Sequence, residues 1–416
     1  MLAMFFSLCY TDRMKTNFDK TSRQVPVVTH LAIALALVFF CGCSTVSHLT
    51  MPASNPGNLP PLKVGVYADN GPSGIGAVEW FRLINDSPEM ELHLLDGEAI
   101  RNGKLDGLDV LVMPGGSSST EYQTLRPEGV EKMKAFFRAG GGYIGTCAGC
   151  SLMTDDVKGR ACVMPWKRVS SEPATMFPTF NLNEKGAAAL GLKAGSHVIR
   201  YHGGPFLEPT TNVIADAKIE VWGTIDAEAT MKGKVDPKRK MYGSPAILGG
   251  TFGKGKVFII SGHPEYFNST LYIVVAAFKY VSGRDITFPT RPRTPRSIAV
   301  GFLASGIQGV ETAATALDLD AEKDFDLVPI DLDAMRQRRL DHLDVLVLAS
   351  KSSLKNPFMK KCIHEFLARG GKVVGFNAGV KALPEGGIAC EPRKGVVEAI
   401  RKLFPQLPQL AETPKE

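Results

Sequence analysis

No arginine-rich arm and no basic run interleaved with aromatic residues occurs along this chain of 416 residues, and its formal net charge of +6 is thinly spread. A nucleic-acid partner is therefore not expected, because phosphate backbones are bound by clustered lysines and arginines. No spacing of Cys, His, Asp and Glu suits a metal, no Walker lysine follows a glycine-rich loop, and no cofactor is implied. No apolar run reaches the roughly 20 residues that a spanning helix needs. The stretch from about Val25 to Phe40 is short for one, and Tyr272–Tyr280 reads as a buried helix. The eight cysteines are scattered, which does not fit a disulfide framework. What is present is a hydrophobic content of 44% against 22% charged residues, enough for packed cores in two or three domains.

The N-terminal segment reads as an address, not as part of a fold. Arg13, Lys15, Lys20 and Arg23 precede the apolar stretch, which ends in Phe40-Cys41-Gly42-Cys43-Ser44. This resembles a bacterial lipoprotein signal over residues 1–43, with Cys43 as the residue that receives lipid and Met14 as a more ordinary start than Met1. An uncleaved membrane anchor is the alternative. Either implies a body tethered to the membrane outside the cytoplasm, on the periplasmic face of the envelope. Residues 44–61, rich in Ser, Pro, Asn and Gly, read as a flexible tether.

Apolar, β-branched strands at Val64–Ala68, Val110–Met113, Gly142–Gly145 and Val257–Ile260 alternate with helical patterns such as Val78–Ile84 and Val130–Arg138. That alternation predicts an α/β domain over 62–283, with a parallel sheet covered on both faces. Residues 284–296, with three prolines and four arginines, read as a linker. Residues 297–404 repeat the first domain's pattern and precede a short tail, 405–416. LDGLDVLVMPGGSS (105–118) returns as LDHLDVLVLASKSS (340–353) at an offset of 235, and FFRAGGGYIGTCAG (136–149) as FLARGGKVVGFNAG (366–379) at an offset of 230. The copy is predicted to be truncated and degenerate: Asn377 stands where Cys147 stands, and Ala349-Ser350-Lys351 replaces Pro114-Gly115-Gly116. An amide is no nucleophile, so the copy reads as a structural or binding module.

The chemistry concentrates in Gly145-Thr146-Cys147-Ala148-Gly149-Cys150. A cysteine at a glycine-flanked strand-to-helix turn is held on a sharp bend, where a helix start favours its thiolate. Ser261-Gly262-His263-Pro264-Glu265 supplies a histidine and a carboxylate two residues apart after another strand. Together they predict a triad in which Cys147 attacks an amide or ester carbonyl, His263 moves protons and Glu265 orients the imidazole. Cys147 and Cys150 also form Cys-x-x-Cys, which leaves open a redox role or a disulfide masking Cys147. The loop Asn70–Gly76 reads as a plain strand-to-helix turn.

PGGSSSTEY, GGGYIGTCAG, YHGGPF (201–206) and GKGKVFIISGHPE (253–265), in this order, resemble the N-terminal domain of biotin-protein ligases, within the class I glutamine amidotransferase-like superfamily. The resemblance implies a three-layer, flavodoxin-like fold. It also implies a pocket in which Gly115 and Gly116, with Ala148, supply oxyanion N–H groups, and which Tyr201, Gly203 and Gly204 line; His202 is then an alternative base. The chain carries no biotin-ligase catalytic domain and no ammonia-using synthase domain beyond these motifs, so biotin transfer is not implied. The expected partner is a small-molecule or peptide amide, as substrate or as ligand of a non-catalytic binding protein; the oligomeric state is left open.

Overall fold

The computed structural model describes residues 59–155, 161–227, 230–231, 234–235, 241–289, 298–303, 306–350 and 355–405. The signal-like segment 1–43 with Cys43, most of the tether, residues 290–296 of the linker and the tail from 406 lie outside them. Among the described residues no helix is long and apolar enough to cross a membrane.

The first module begins with β1 (Leu62–Tyr67), α1 (Ile75–Asp86), β2 (Met90–Leu95), α2 (Gly97–Arg101), β3 (Val110–Met113), α3 (Ser118–Ala139), β4 (Gly142–Thr146) and α4 (Ala148–Leu152). An excursion comes next: β5 (Trp166–Ser171), β6 (Thr179–Leu182), α5 (Glu184–Leu190), β7 (Gly195–Val198), β8 (Pro205–Pro209), β9 (Ala217–Asp226), β10 (Thr230–Met231), β11 (Lys234–Val235) and β12 (Pro245–Phe252). The module closes with β13 (Gly255–Ile260) and α6 (Leu271–Ser282).

Nine of these strands form one sheet in the order β2-β1-β3-β4-β13-β12-β9-β6-β7. The first five are parallel, as the alternation of strands and helices predicts. The other four join antiparallel, so the predicted parallel sheet is extended on one side by an antiparallel half. The reason is local: β12 and β13 are joined by a tight Gly253-Lys254 turn, which can only reverse the chain. Both faces of the parallel half are buried, and the period of two shows how. Val110 and Val112 of β3 enter one apolar cluster, while Leu111 and Met113 enter the other. Helix α3 starts well before the predicted Val130, directly after the glycine pair. Ser117 caps it by accepting from Thr120 N–H, and it is interrupted at Arg126, the residue before Pro127.

The second module contains β14 (Ile298–Leu303), α7 (Val310–Ala321), β15 (Phe325–Ile330), α8 (Leu332–Arg336), β16 (Val345–Leu348), α9 (Pro357–Ala368), β17 (Lys372–Gly375), β18 (Ile388–Ala389) and α10 (Lys394–Leu403). Its all-parallel sheet, β15-β14-β16-β17-β18, repeats the order of β2-β1-β3-β4-β13. The register is the same as well: Val374 pairs with Ile388 and Gly375 with Ala389, as Ile144 pairs with Phe258 and Gly145 with Ile259. The copy thus reaches its fifth strand by a short connection, without the excursion that carries β5 to β12. Counting on from that register, Arg393 occupies the place of His263. The apolar cluster containing Val110 and Val112 continues into Val300, Phe302, Val345 and Val347, so one apolar layer serves both sheets.

Candidate active site

Cys147 lies between β4 and α4 with φ 48 and ψ −97, a conformation rarely taken by any residue other than glycine. It is held there from both sides: its N–H donates to Ile260 O at 3.0 Å, and its carbonyl accepts from Ser151 N–H at 3.0 Å. Gly149 makes the turn possible, since a Cβ there would come within 2.3 Å of Met113 O. The helix behind the thiol has only five residues, so it contributes less dipole than a full-length helix at this turn would. Asn377 holds nearly the same angle, φ 50, in the second module. The bend therefore belongs to the fold and persists without the sulfur.

His263 follows β13, and its N–H donates to Arg200 O at 2.8 Å. Its Nδ1 is 2.9 Å from Glu265 Oε1, and Cys147 lies beside the ring under Gly115. The structure thus brings Cys147, His263 and Glu265 together, all three buried. Burial by itself would lower the imidazole pKa. The nearby Cys147 and Glu265, with the hydrogen bond to Glu265, outweigh it and push the ring up to about 10. Such a ring is suited to take the proton of the neighbouring thiol. Room for the carboxylate comes from α1, where a Cβ on Gly76 would stand 2.4 Å from Glu265 Oε1. In the second module the equivalent position is Glu311, whose carboxylate instead accepts a hydrogen bond from Asn377 Nδ2 at 2.9 Å.

Gly115 is packed over the pair: a Cβ would meet His263 Cε1 at 2.5 Å and Cys147 Cβ at 3.2 Å. Gly116, at φ 153, would drive a Cβ to 2.0 Å from Gly71 O, so neither glycine tolerates a side chain. Ala148 is the first residue of α4, and its N–H is one of those that a helix cannot satisfy internally. Tyr201 is fully buried. Its hydroxyl donates to Gly204 O and accepts from Glu172 N–H, so it braces the loop and presents no free hydroxyl. Gly203 N–H donates to Glu172 O, and Gly204 lies against Ser261 O, where a Cβ would come within 1.9 Å. His202 meets the site through its backbone, its carbonyl accepting from Cys147 Sγ at 3.3 Å. Its ring hydrogen-bonds Thr175 Oγ1 instead, with a pKa lowered by burial and by Arg200 and His263.

Cys150 is buried beside the turn at Cys147, and burial pushes its thiol well up. Among the described residues, Cys147, Cys150, Cys162, Cys362 and Cys390 form no disulfide. Among the described residues no three His, Cys, Asp or Glu side chains converge on a possible metal position.

Sequence reasoning missed Arg200 and Tyr266. The Arg200 guanidinium lies 3.9 Å from the centre of the Tyr266 ring, which in turn stands edge-on to His263 at 5.3 Å. Arg200 immediately precedes the noted Tyr201-His202 pair, but nothing in the string signals that its backbone carbonyl carries His263. A cavity of about 670 Å³ lies elsewhere, between β2 and α7, with Lys104, Asp318 and Arg393 in its wall; no site residue lines it.

The short curated relatives that the chain matches include the pyridoxal 5'-phosphate synthase subunit PdxT of Listeria monocytogenes serotype 4b. The match is 43% identical over 56 residues, 13% of this chain and 30% of that protein. The chain thus spans about a third of the length of the curated relatives it matches. A putative ThuA-like protein from Bacteroides uniformis aligns with 56% of this chain and 96% of its own, at 13% identity and a TM-score of 0.43. A glutamine amidotransferase aligns with 51% and 98%, at 20% and 0.34, and PurLQS from Thermotoga maritima with 53% and 99%, at 13% and 0.38. Residues 105–279 match the family described as biotin-protein ligase, N terminal, and every site residue named from the sequence within the first module falls inside that match.

Proposed function

We propose that the first module is a cysteine hydrolase that cleaves a carbon–nitrogen amide bond through a thioester. The observation that carries this reading is the pairing of a strained, buried Cys147 with an imidazole raised to about 10 and oriented by Glu265. Cys147 Sγ passes its proton to His263 and adds to the carbonyl carbon, and the oxyanion forms against the N–H groups at Gly115, Gly116 and Ala148. As the C–N bond breaks, the His263 imidazolium gives its proton to the departing amine, leaving a thioester. Water then adds to the thioester with His263 taking its proton; the carboxylic acid leaves and the proton returns to the thiol-imidazole pair. The substrate is a small-molecule or peptide amide. The body works at the cell envelope, tethered through Cys43.

A binding protein without catalysis is the second reading, favoured by one observation: the second module keeps the strained turn with Asn377 and no thiol. Alkylation of the protein by iodoacetamide, with modified cysteines mapped by peptide mass spectrometry, separates the two. The hydrolase reading expects Cys147 to react faster than the half-exposed Cys362, and to lose that advantage in His263→Ala. Equal rates at the two thiols, unmoved by His263→Ala, would sink it.

A further inference from the structure

The strip Arg200–His202 holds both reactive groups through its backbone: Arg200 O accepts from His263 N–H, and His202 O accepts from Cys147 Sγ. The side chains of Arg200 and, through Thr175, His202 lead out of the first module. Arg200 Nη2 reaches Asp333 Oδ2 at 3.2 Å and Asp331 Oδ2 at 3.7 Å. The His202 ring bonds Thr175 Oγ1 at 2.8 Å, and that hydroxyl donates onward to Asp333. Arg200 is only 5% exposed, so this is a buried cation whose charge is met from the second module.

Asp331 and Asp333 belong to the turn from β15 into α8, where Asp331 caps the helix by accepting from Ala334 N–H. The matching turn of the first module runs from β2 into α2, with Asp96 as the cap. An inherited cap has thus been turned onto the neighbour. The opposite wall of the site is held as well: Ile307 N–H of the second module donates to Pro72 O at 2.9 Å, and Pro72 forms a β-bridge with Gly116.

The geometry points to a positioning role for the second module: Asp333, through Arg200 and the Thr175–His202 pair, sets the strip that aligns Cys147 with His263. The inference rests on the hydrolase reading for its effect on chemistry, but not for its effect on the strip. The copy that lost its own nucleophile serves the first copy's site as a clamp in cis. This gives a reason for its retention that needs no ligand of its own.

The test uses the full chain in four forms: native, Asp333→Asn, Asp333→Ala and Asp333→Glu. Iodoacetamide rates at Cys147 and Cys362 are followed from about pH 5 to about pH 10. The expected result is a loss of about tenfold or more at Cys147 in Asp333→Ala and Asp333→Asn, with a changed pH profile, an unmoved Cys362 rate and partial rescue by Asp333→Glu. Cys147 rates and profiles that stay within about twofold in all variants would overturn the clamp, since a misaligned pair cannot keep its reactivity. Amide hydrogen exchange over residues 199–204 is read in parallel and separates the two failures. If native Cys147 shows no advantage over Cys362, the hydrolase reading fails, and the clamp then stands on faster exchange of this strip in Asp333→Ala or falls on unchanged exchange.

Discussion

At residue scale the site is governed by His263, whose proton is contested. Burial favours the neutral ring, whereas Cys147 and Glu265 favour the charged one and prevail, setting the ring at about 10. The folded value is raised above the ordinary one of about 6.5, so the stabilisation it contributes is complete below that pH and is lost as pH rises through about 10. Cys147 is the largest of the raising influences. Cys147→Ala is therefore expected to lower the His263 pKa, seen by NMR titration of the ring nitrogens; an unchanged titration would show that the thiol's charge does not bear on the ring. Gly116 offers a second prediction. A methyl there would press on backbone at Gly71 O in a conformation costly for any L-residue, so Gly116→Ala is expected to cost about 2 kcal/mol or more in urea unfolding. A loss below about 0.5 kcal/mol would mean that the two loops separate easily.

At the scale of elements, the strand-to-helix bend was legible because its signals are local. Gly145, Gly149 and the buried run of β4 announce a tight turn wherever the chain goes next. Gly149→Ala would force α4 off β3 at Met113 O, and a loss of about 2 kcal/mol with reduced Cys147 alkylation is expected, measured by denaturant titration and mass spectrometry. Unchanged alkylation would show that the bend does not depend on that close approach. The antiparallel half of the sheet was less legible. β6 and β7 have four residues each and β9 a broken, half-exposed pattern, and their direction depends on which edge receives them, a matter of pairing between distant segments. The start of α3 was missed for another reason: Pro127 and a polar first half mask a helix that Ser117 caps in space.

At the scale of the whole molecule, the two modules share an apolar layer and a pair, Arg82 with Asp320, that is largely withdrawn from water. A single calorimetric transition is expected for the body, with calorimetric and van't Hoff enthalpies in agreement. Two resolved transitions would show that the shared layer does not couple the modules. The repeat was readable from residues because its strands and turns recur in order. Its use was not, because Asp333 is an ordinary first-turn carboxylate until α8 is placed against Arg200.

The sequence by itself determined the α/β character, the repeat, the bend at Cys147 and which three residues, Cys147, His263 and Glu265, the fold brings together. Each depends on short-range patterns: period-two burial, glycine placement and motif order. Only the tertiary structure decided that Glu265 fits because Gly76 leaves space, that Tyr201 braces a loop, and that the second module meets the buried Arg200. Those outcomes depend on contacts between segments tens to hundreds of residues apart, where distance and desolvation, not residue type, set the interaction.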